Sequence, residues 1–168
     1  MSRLVVVLPL SPLIAGERFA VRDWPLHVTV LAPFLTYAEP ADIAATITAA
    51  TSRQSPLTVV AGHHDLFGRR RTVPVTVLVE NPELTALHGT LVDAVRPFAA
   101  VPNQTAFTGG RFRAHVTEKH HGRVHEGDRL RLTQIALVDM APAESPGGRA
   151  VLATIALGRH AKSGTATS

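Results

Sequence analysis

The chain has no cysteine. That excludes disulfides, thiolate metal sites and cysteine nucleophiles, and it suits a reducing compartment. Lysine is nearly absent too: of 17 basic residues only Lys119 and Lys162 are lysines. The rest are arginines, whose planar fork grips phosphate or carboxylate through two bonds. Neither sign of charge dominates, with 17 cations against 13 carboxylates and a net +4. A solubilising surface accounts for that balance as well as an anionic partner does. No apolar run is long enough to span a bilayer. The opening MSRLVVVLPLSPLIAG superficially resembles a short secretory leader, but Pro9 and Pro12 interrupt it. Leu4–Leu8 therefore reads as a buried first strand, and the protein as cytoplasmic with no membrane association. With 45% hydrophobic and 18% charged residues the chain is globular. No linker divides it, so residues 1–160 read as a single domain and the small, polar stretch 161–168 as a flexible tail.

Periodicity supplies the elements. Leu26 to Leu31 alternates, with Leu26, Val28 and Val30 on one face and His27, Thr29 and Leu31 on the other, and Pro33 closes the strand. A short alanine-rich helix starts at Pro40, with Ile43 and Ile47 four apart. Strands over Leu57–Ala61 and Val73–Glu80 follow, separated by the basic turn Gly68-Arg69-Arg70-Arg71. Glu83–Phe98 is a helix whose apolar stripe runs through Leu84, Leu87, His88, Leu91, Val95 and Phe98. Arg111–Lys119 alternates again: Phe112, Ala114 and Val116 against Arg111, Arg113, His115, Thr117 and Lys119. Strands over Leu130–Val138 and Val151–Leu157 complete the order. The expected fold is α+β, with antiparallel pairing and two related halves.

One tripeptide occurs in both halves, as His27-Val28-Thr29 and His115-Val116-Thr117. Nine His and 17 Thr in 168 residues make about one H-x-T expected by accident. Two copies with Val between them, each on an alternating strand, are much harder to obtain by chance. On a strand the imidazole and hydroxyl share a face, so two such pairs brought together surround a small anion with two acid-base groups and two donors. The competing reading is that both histidines are half-buried strand residues and the threonines only serve β-propensity. Against it, the second strand carries Arg, Arg, His, Thr and Lys on one face with no acid among them. Such a face needs an anion, a carboxylate partner or solvent to relieve its repulsion, or is an edge guarded by charge.

Leu26–Phe34 (LHVTVLAPF) and Arg113–Glu118 (RAHVTE) resemble the paired H-x-T signatures of the 2H phosphoesterase superfamily, and within it the 2′-5′ RNA ligase-like or RNA 2′,3′-cyclic phosphodiesterase proteins. The resemblance covers most of the chain. It departs from the family in the short segment before His27, in Glu118 where an apolar residue is usual, and in the cations after the second motif, here Lys119 and Arg123.

The resemblance implies a two-lobed, pseudo-twofold α+β protein with antiparallel sheets and flanking helices around a central cleft. It also implies hydrolysis of 2′,3′-cyclic phosphates on RNA ends or nucleotides, and 2′-5′ ligation as the reverse reaction. No metal or other cofactor is required, and a monomer suffices. Imidazole titrates near neutrality, so His115 is assigned as base and His27 as acid, roles that the opposite direction of reaction exchanges. Thr29 and Thr117 donate to the phosphate oxygens, and Arg113 and Lys119 add charge or track the backbone. Phe34 is the candidate base platform, among the nearby aromatics Trp24, Phe34 and Tyr37, with core packing as the alternative. Arg69 in the basic turn is a candidate phosphate contact, against a merely solvated loop. Two rivals stand beside this reading. One is a metal hydrolase built on His120, His121 and His125 with Glu118 and Glu126, or on His63-His64 with Asp65. The other is a protein that binds RNA or a nucleotide without turnover.

Overall fold

A computed structural model describes residues 1–108, 112–145 and 147–158. The unbroken apolar run near the N-terminus becomes β1 (Ser2–Pro9), covered on both faces as such runs require. Leu4, Val6 and Leu8 enter the main core, while Val5 and Val7 join a smaller core on the other face with Leu13, Trp24, Ala136, Val138 and Val151. β1 pairs antiparallel with β3 (His27–Thr36) on one side and β8 (Gln134–Asp139) on the other. The remaining strands are β2 (Arg18–Ala20), β4 (Leu57–Phe67), β5 (Val73–Leu78), β6 (His115–Thr117), β7 (Arg129–Leu132) and β9 (Gly148–Ala156). Together they form one ladder in the order β2-β9-β8-β1-β3-β6-β5-β4-β7, antiparallel throughout.

Two related halves are thus joined edge to edge. β3 is the inner strand of one and β6 of the other, and the expected pair of sheets is a single continuous one. Only Thr133 separates β7, the last strand of the ladder, from β8, the third. Consecutive Cα atoms are about 3.8 Å apart, so the ladder must curl to bring these strands within a step of each other. Helices α1 (Pro40–Ala50) and α2 (Pro82–Val95) cover one face, burying Ile43, Ile47, Leu84, Leu87, Leu91 and Val95. Both begin on a proline, which needs no partner for its missing N–H at that position. Asn81 caps α2 by accepting the Leu84 amide at 3.0 Å. A one-turn helix, α3 (Thr105–Thr108), packs Phe107 against Phe34.

The fold departs from the sequence reading at several places, among them β4, which runs on to Phe67 past the expected end at Ala61, and α2, which ends at Val95 before Phe98. Pro33 does not end its strand: β3 continues to Thr36, because the pairing with β1 is bulged between Leu31 and Phe34, where a residue without an N–H is tolerated. The same irregularities put Leu31 and Val30 in one core instead of on opposite faces. The single strand expected over Leu130–Val138 is two strands, because its ends pair with different halves of the sheet. The second-motif strand is shorter than Arg111–Lys119, spanning His115–Thr117, and Arg111 lies outside the described residues, as does the tail 161–168. No helix among the described residues is long and apolar enough to cross a membrane.

Gly62 lies where β4 bulges against β5, and a Cβ there would stand 2.7 Å from the Val77 carbonyl oxygen. Gly89 on α2 has open space around it. Gly62→Ala is therefore expected to lower the unfolding free energy by about 1–3 kcal/mol, and Gly89→Ala to raise it by about 0.5–1 kcal/mol. Urea denaturation of the two variants checks both signs.

Candidate active site

The two H-x-T motifs meet through their middle residues. Val28 of β3 pairs antiparallel with Val116 of β6, and both valines are buried in the main core beneath the helices. Side chains alternate on a strand, so His27, Thr29, His115 and Thr117 all stand on the face turned away from the helices. The register sets His27 level with Thr117 and Thr29 level with His115. The two histidines are diagonal neighbours, a relation that separates residues by roughly 7–8 Å in an antiparallel pair.

Each imidazole is held in the same way. His27 Nδ1 donates to the Pro25 carbonyl and His115 Nδ1 to the Arg113 carbonyl, both at 2.8 Å and both to the residue two places earlier. A carbonyl can only accept, so each ring carries its proton on Nδ1 and leaves Nε2 available. Each also rests on one aromatic ring: Trp24 stacks on His27 with centroids 3.8 Å apart, and Phe67 meets His115 edge-on at 4.7 Å. Neither the Thr29 nor the Thr117 hydroxyl is taken by another described residue.

The environments of the two rings differ. His27 is buried, and that burial pushes its pKa down to about 4. The Pro25 carbonyl opposes the shift, while Lys119, His115 and Arg149 reinforce it. His115 is only half-buried. Around His27 the second core closes in: Arg149 of β9 lies 5.2 Å and Lys119 5.9 Å from the centre of the Trp24 ring.

The other expected site residues divide. Lys119 stands beside His27, as its effect on that ring records. Arg113 lies over the Phe67 ring at 4.8 Å and 3.6 Å from the Asp65 carboxylate. The positive face of β6 thus has a carboxylate partner from β4, which also takes Arg71 at 3.6 Å. The Leu66 amide, and then these two guanidiniums, hold Asp65 below the usual carboxylate range. Phe34 is a core residue, packed at 5.6 Å against Phe107, and offers no surface to a base. Arg69 is exposed in its turn, with no hydrogen bond or ion pair to a described residue. Arg149 was not visible as a site residue in the sequence, since nothing local marks a strand arginine 34 residues beyond the second motif.

The histidine cluster does not converge. His120 faces Asp23, His121 faces the Trp24 carbonyl, His125 faces Asp128, and His64 bonds Thr76. Among the described residues no three His, Asp or Glu side chains come together as a metal-binding group.

The solved structures with a similar fold include one described as a phosphoesterase, at 18% identity and TM-score 0.56, covering 94% of this chain and 99% of that one. Escherichia coli LigT in complex with 3′-AMP matches at 18% identity and TM-score 0.54, with 94% and 99% covered. A protein of Thermus thermophilus matches at 17% identity and TM-score 0.56, with 92% and 97% covered. At such identities the likeness is one of fold. No curated protein sequence matches the chain. The 2′-5′ RNA ligase superfamily profile, however, matches residues 15–144, which include both H-x-T motifs. With that match over most of its length, the chain belongs to the 2′-5′ RNA ligase superfamily, the group of 2H phosphoesterases.

Proposed function

We propose that this protein is a phosphodiesterase that opens 2′,3′-cyclic phosphates on RNA ends or nucleotides, with His27 and His115 as its proton-transfer pair. The observation that carries the reading is their matched wiring, in which both rings are fixed through Nδ1 and both Nε2 atoms are free on one face. In-line displacement at phosphorus needs a proton taken on one side and given on the other. Two imidazoles set diagonally across a strand pair provide that. One Nε2 removes a proton from water as its oxygen bonds to phosphorus. The other delivers a proton to the ribose oxygen as that bond breaks. Thr29 and Thr117 donate to the non-bridging oxygens, where charge accumulates. The same two proton transfers, with a 5′-hydroxyl in place of water and the ribose 3′-oxygen as leaving group, join ends through a 2′-5′ linkage. The fold relative LigT has been crystallised with 3′-AMP, ATP, NADP+ and phosphate, which supports a nucleotide-sized, anionic occupant.

The roles assigned from sequence exchange. A ring with a pKa of about 4 is neutral near pH 7, so its Nε2 has a lone pair to take a proton and no proton to give. His27 is therefore the base of the resting enzyme, and His115, more open to solvent, is the acid.

Replacement of either histidine by alanine is expected to reduce turnover of a nucleoside 2′,3′-cyclic phosphate by about 10²–10⁴, and a strong chelator to leave the wild-type rate unchanged. Binding of that cyclic phosphate with no turnover would instead make the chain a carrier. The pH profile follows from His27. A base works only when deprotonated, so kcat/KM is expected to fall as pH drops through about 4 rather than near 6.5. Trp24 is the only tryptophan and stacks on His27. Its fluorescence should be quenched with the same midpoint as the imidazolium forms, and His27→Gln should abolish that transition. Between pH 6.5 and 4 the unfolded chain binds a proton at His27 that the folded one refuses. Stability should accordingly drop by roughly 3 kcal/mol as pH falls through this window, and less so in His27→Gln. Urea titrations across the range measure the difference.

A further inference from the structure

Lys119 and Arg149 come from distant parts of the chain, the loop after β6 and strand β9, yet both lean on the same indole. Arg149 is opposite Phe19 in the β2–β9 pair, and Phe19 packs on the second core, which places Arg149 on the face that carries His27. Neither cation has a carboxylate within ion-pair distance among the described residues, and unlike unpaired arginines such as Arg69 and Arg131, which are exposed, both are partly buried. Partial burial and the neighbouring Arg149 both lower the Lys119 pKa, so the pair repels. The orphaned polar atoms are here as well. The Trp24 Nε1 and the Arg149 Nε are the buried side-chain nitrogens without a hydrogen-bond partner among the described residues. An unpaired buried donor is costly, and the indole N–H and the Arg149 guanidinium, with the unneutralised Lys119 beside them, describe a place built to receive an acceptor that carries negative charge.

The catalytic phosphate does not fill it. Under that function the group belongs between the two Nε2 atoms and the two threonine hydroxyls, whereas the two cations are gathered over the Trp24 ring on which His27 stacks. Resting on the function proposed above, we infer that Lys119, Arg149 and the Trp24 indole N–H form a second anion subsite that takes the 5′-phosphoryl group of the nucleotide bearing the cyclic phosphate. In an RNA end this is the last phosphodiester of the chain; in a free nucleotide it is the 5′-phosphate. A nucleoside cyclic phosphate with a bare 5′-hydroxyl leaves the subsite unfilled. The guanidinium is pre-set for the task, since its Nη1 is already fixed by the Met140 and Gly148 carbonyls at 2.9 and 3.0 Å.

The test compares kcat/KM on three substrates of one base: the 2′,3′-cyclic phosphate with a 5′-hydroxyl, the same with a 5′-phosphate, and a dinucleotide ending in the cyclic phosphate. Wild-type enzyme is expected to prefer the two 5′-phosphorylated substrates by tenfold or more, chiefly through KM. Arg149→Gln and Lys119→Gln should each pull that ratio toward one, and Arg149→Lys should keep part of it. Lys119→Gln guards against a folding defect from the lost carbonyl bonds of Arg149. A preference for the dinucleotide alone identifies an RNA end as the source, and an equal preference identifies the phosphate itself. Equal kcat/KM on all three substrates, or a ratio unmoved by both substitutions, overturns the subsite. If the wild type turns over none of them, the catalytic reading fails, and Trp24 fluorescence decides the subsite independently. Inorganic pyrophosphate should change that fluorescence in wild type and need at least tenfold higher concentration in Lys119→Gln. A response that both substitutions leave intact comes from elsewhere and refutes the assignment.

Discussion

The contact on which this molecule depends is the pairing of Val28 with Val116. It is short, because β6 has only three residues, and it splices two half-sheets that are tied again by the crossing at Thr133 and by the helices packed on one face. It holds because both valines are buried in the main core. A slip of one residue would expose them and bury the flanking histidines and threonines. The hydrophobic effect therefore fixes the register, and the register fixes the spacing of the polar groups on the other face. β6 is held from both sides, since β5 pairs with it through Val75, Thr76 and Val77.

Symmetry in the backbone coexists with asymmetry in the surroundings. The carbonyl clamp and the supporting aromatic ring recur at both histidines, but one ring is closed over by the second core and two cations while the other stays half-open. Burial, more than neighbouring charge, lowers the proton affinity of His27. Paired acid-base groups are commonly differentiated in this way.

Much of this could be read along the chain, and what could not has a physical reason. The run Leu4–Leu8 announced a strand buried on both faces, and the repeated His-Val-Thr announced two polar pairs on matching strands. Those signals are local and periodic. The arrest assigned to Pro33 was not correct, because a bulge is a property of two strands and only one of them is visible at a time. Phe34 was a plausible base platform by proximity in sequence; its burial against Phe107 depends on α3, some 70 residues away. Trp24 was noticed only as an aromatic near the motif, and its stacking on His27 is a matter of three-dimensional packing. Arg149 has no motif at all. It reaches the site because β8 and β9 return to the first half of the sheet, a topological fact that no window of sequence contains.

The single-residue joint at Thr133 has a mechanical consequence. It ties the last strand of the ladder to the third, and Leu157 donates back to the Thr133 carbonyl at 2.8 Å, so the two halves are braced across their far ends as well as spliced at the middle. A frame fastened at both ends cannot work like jaws. For the function proposed above, the gap between the imidazoles would then act as a calliper of set width, gauging molecules by fit rather than by how far they can pry it apart.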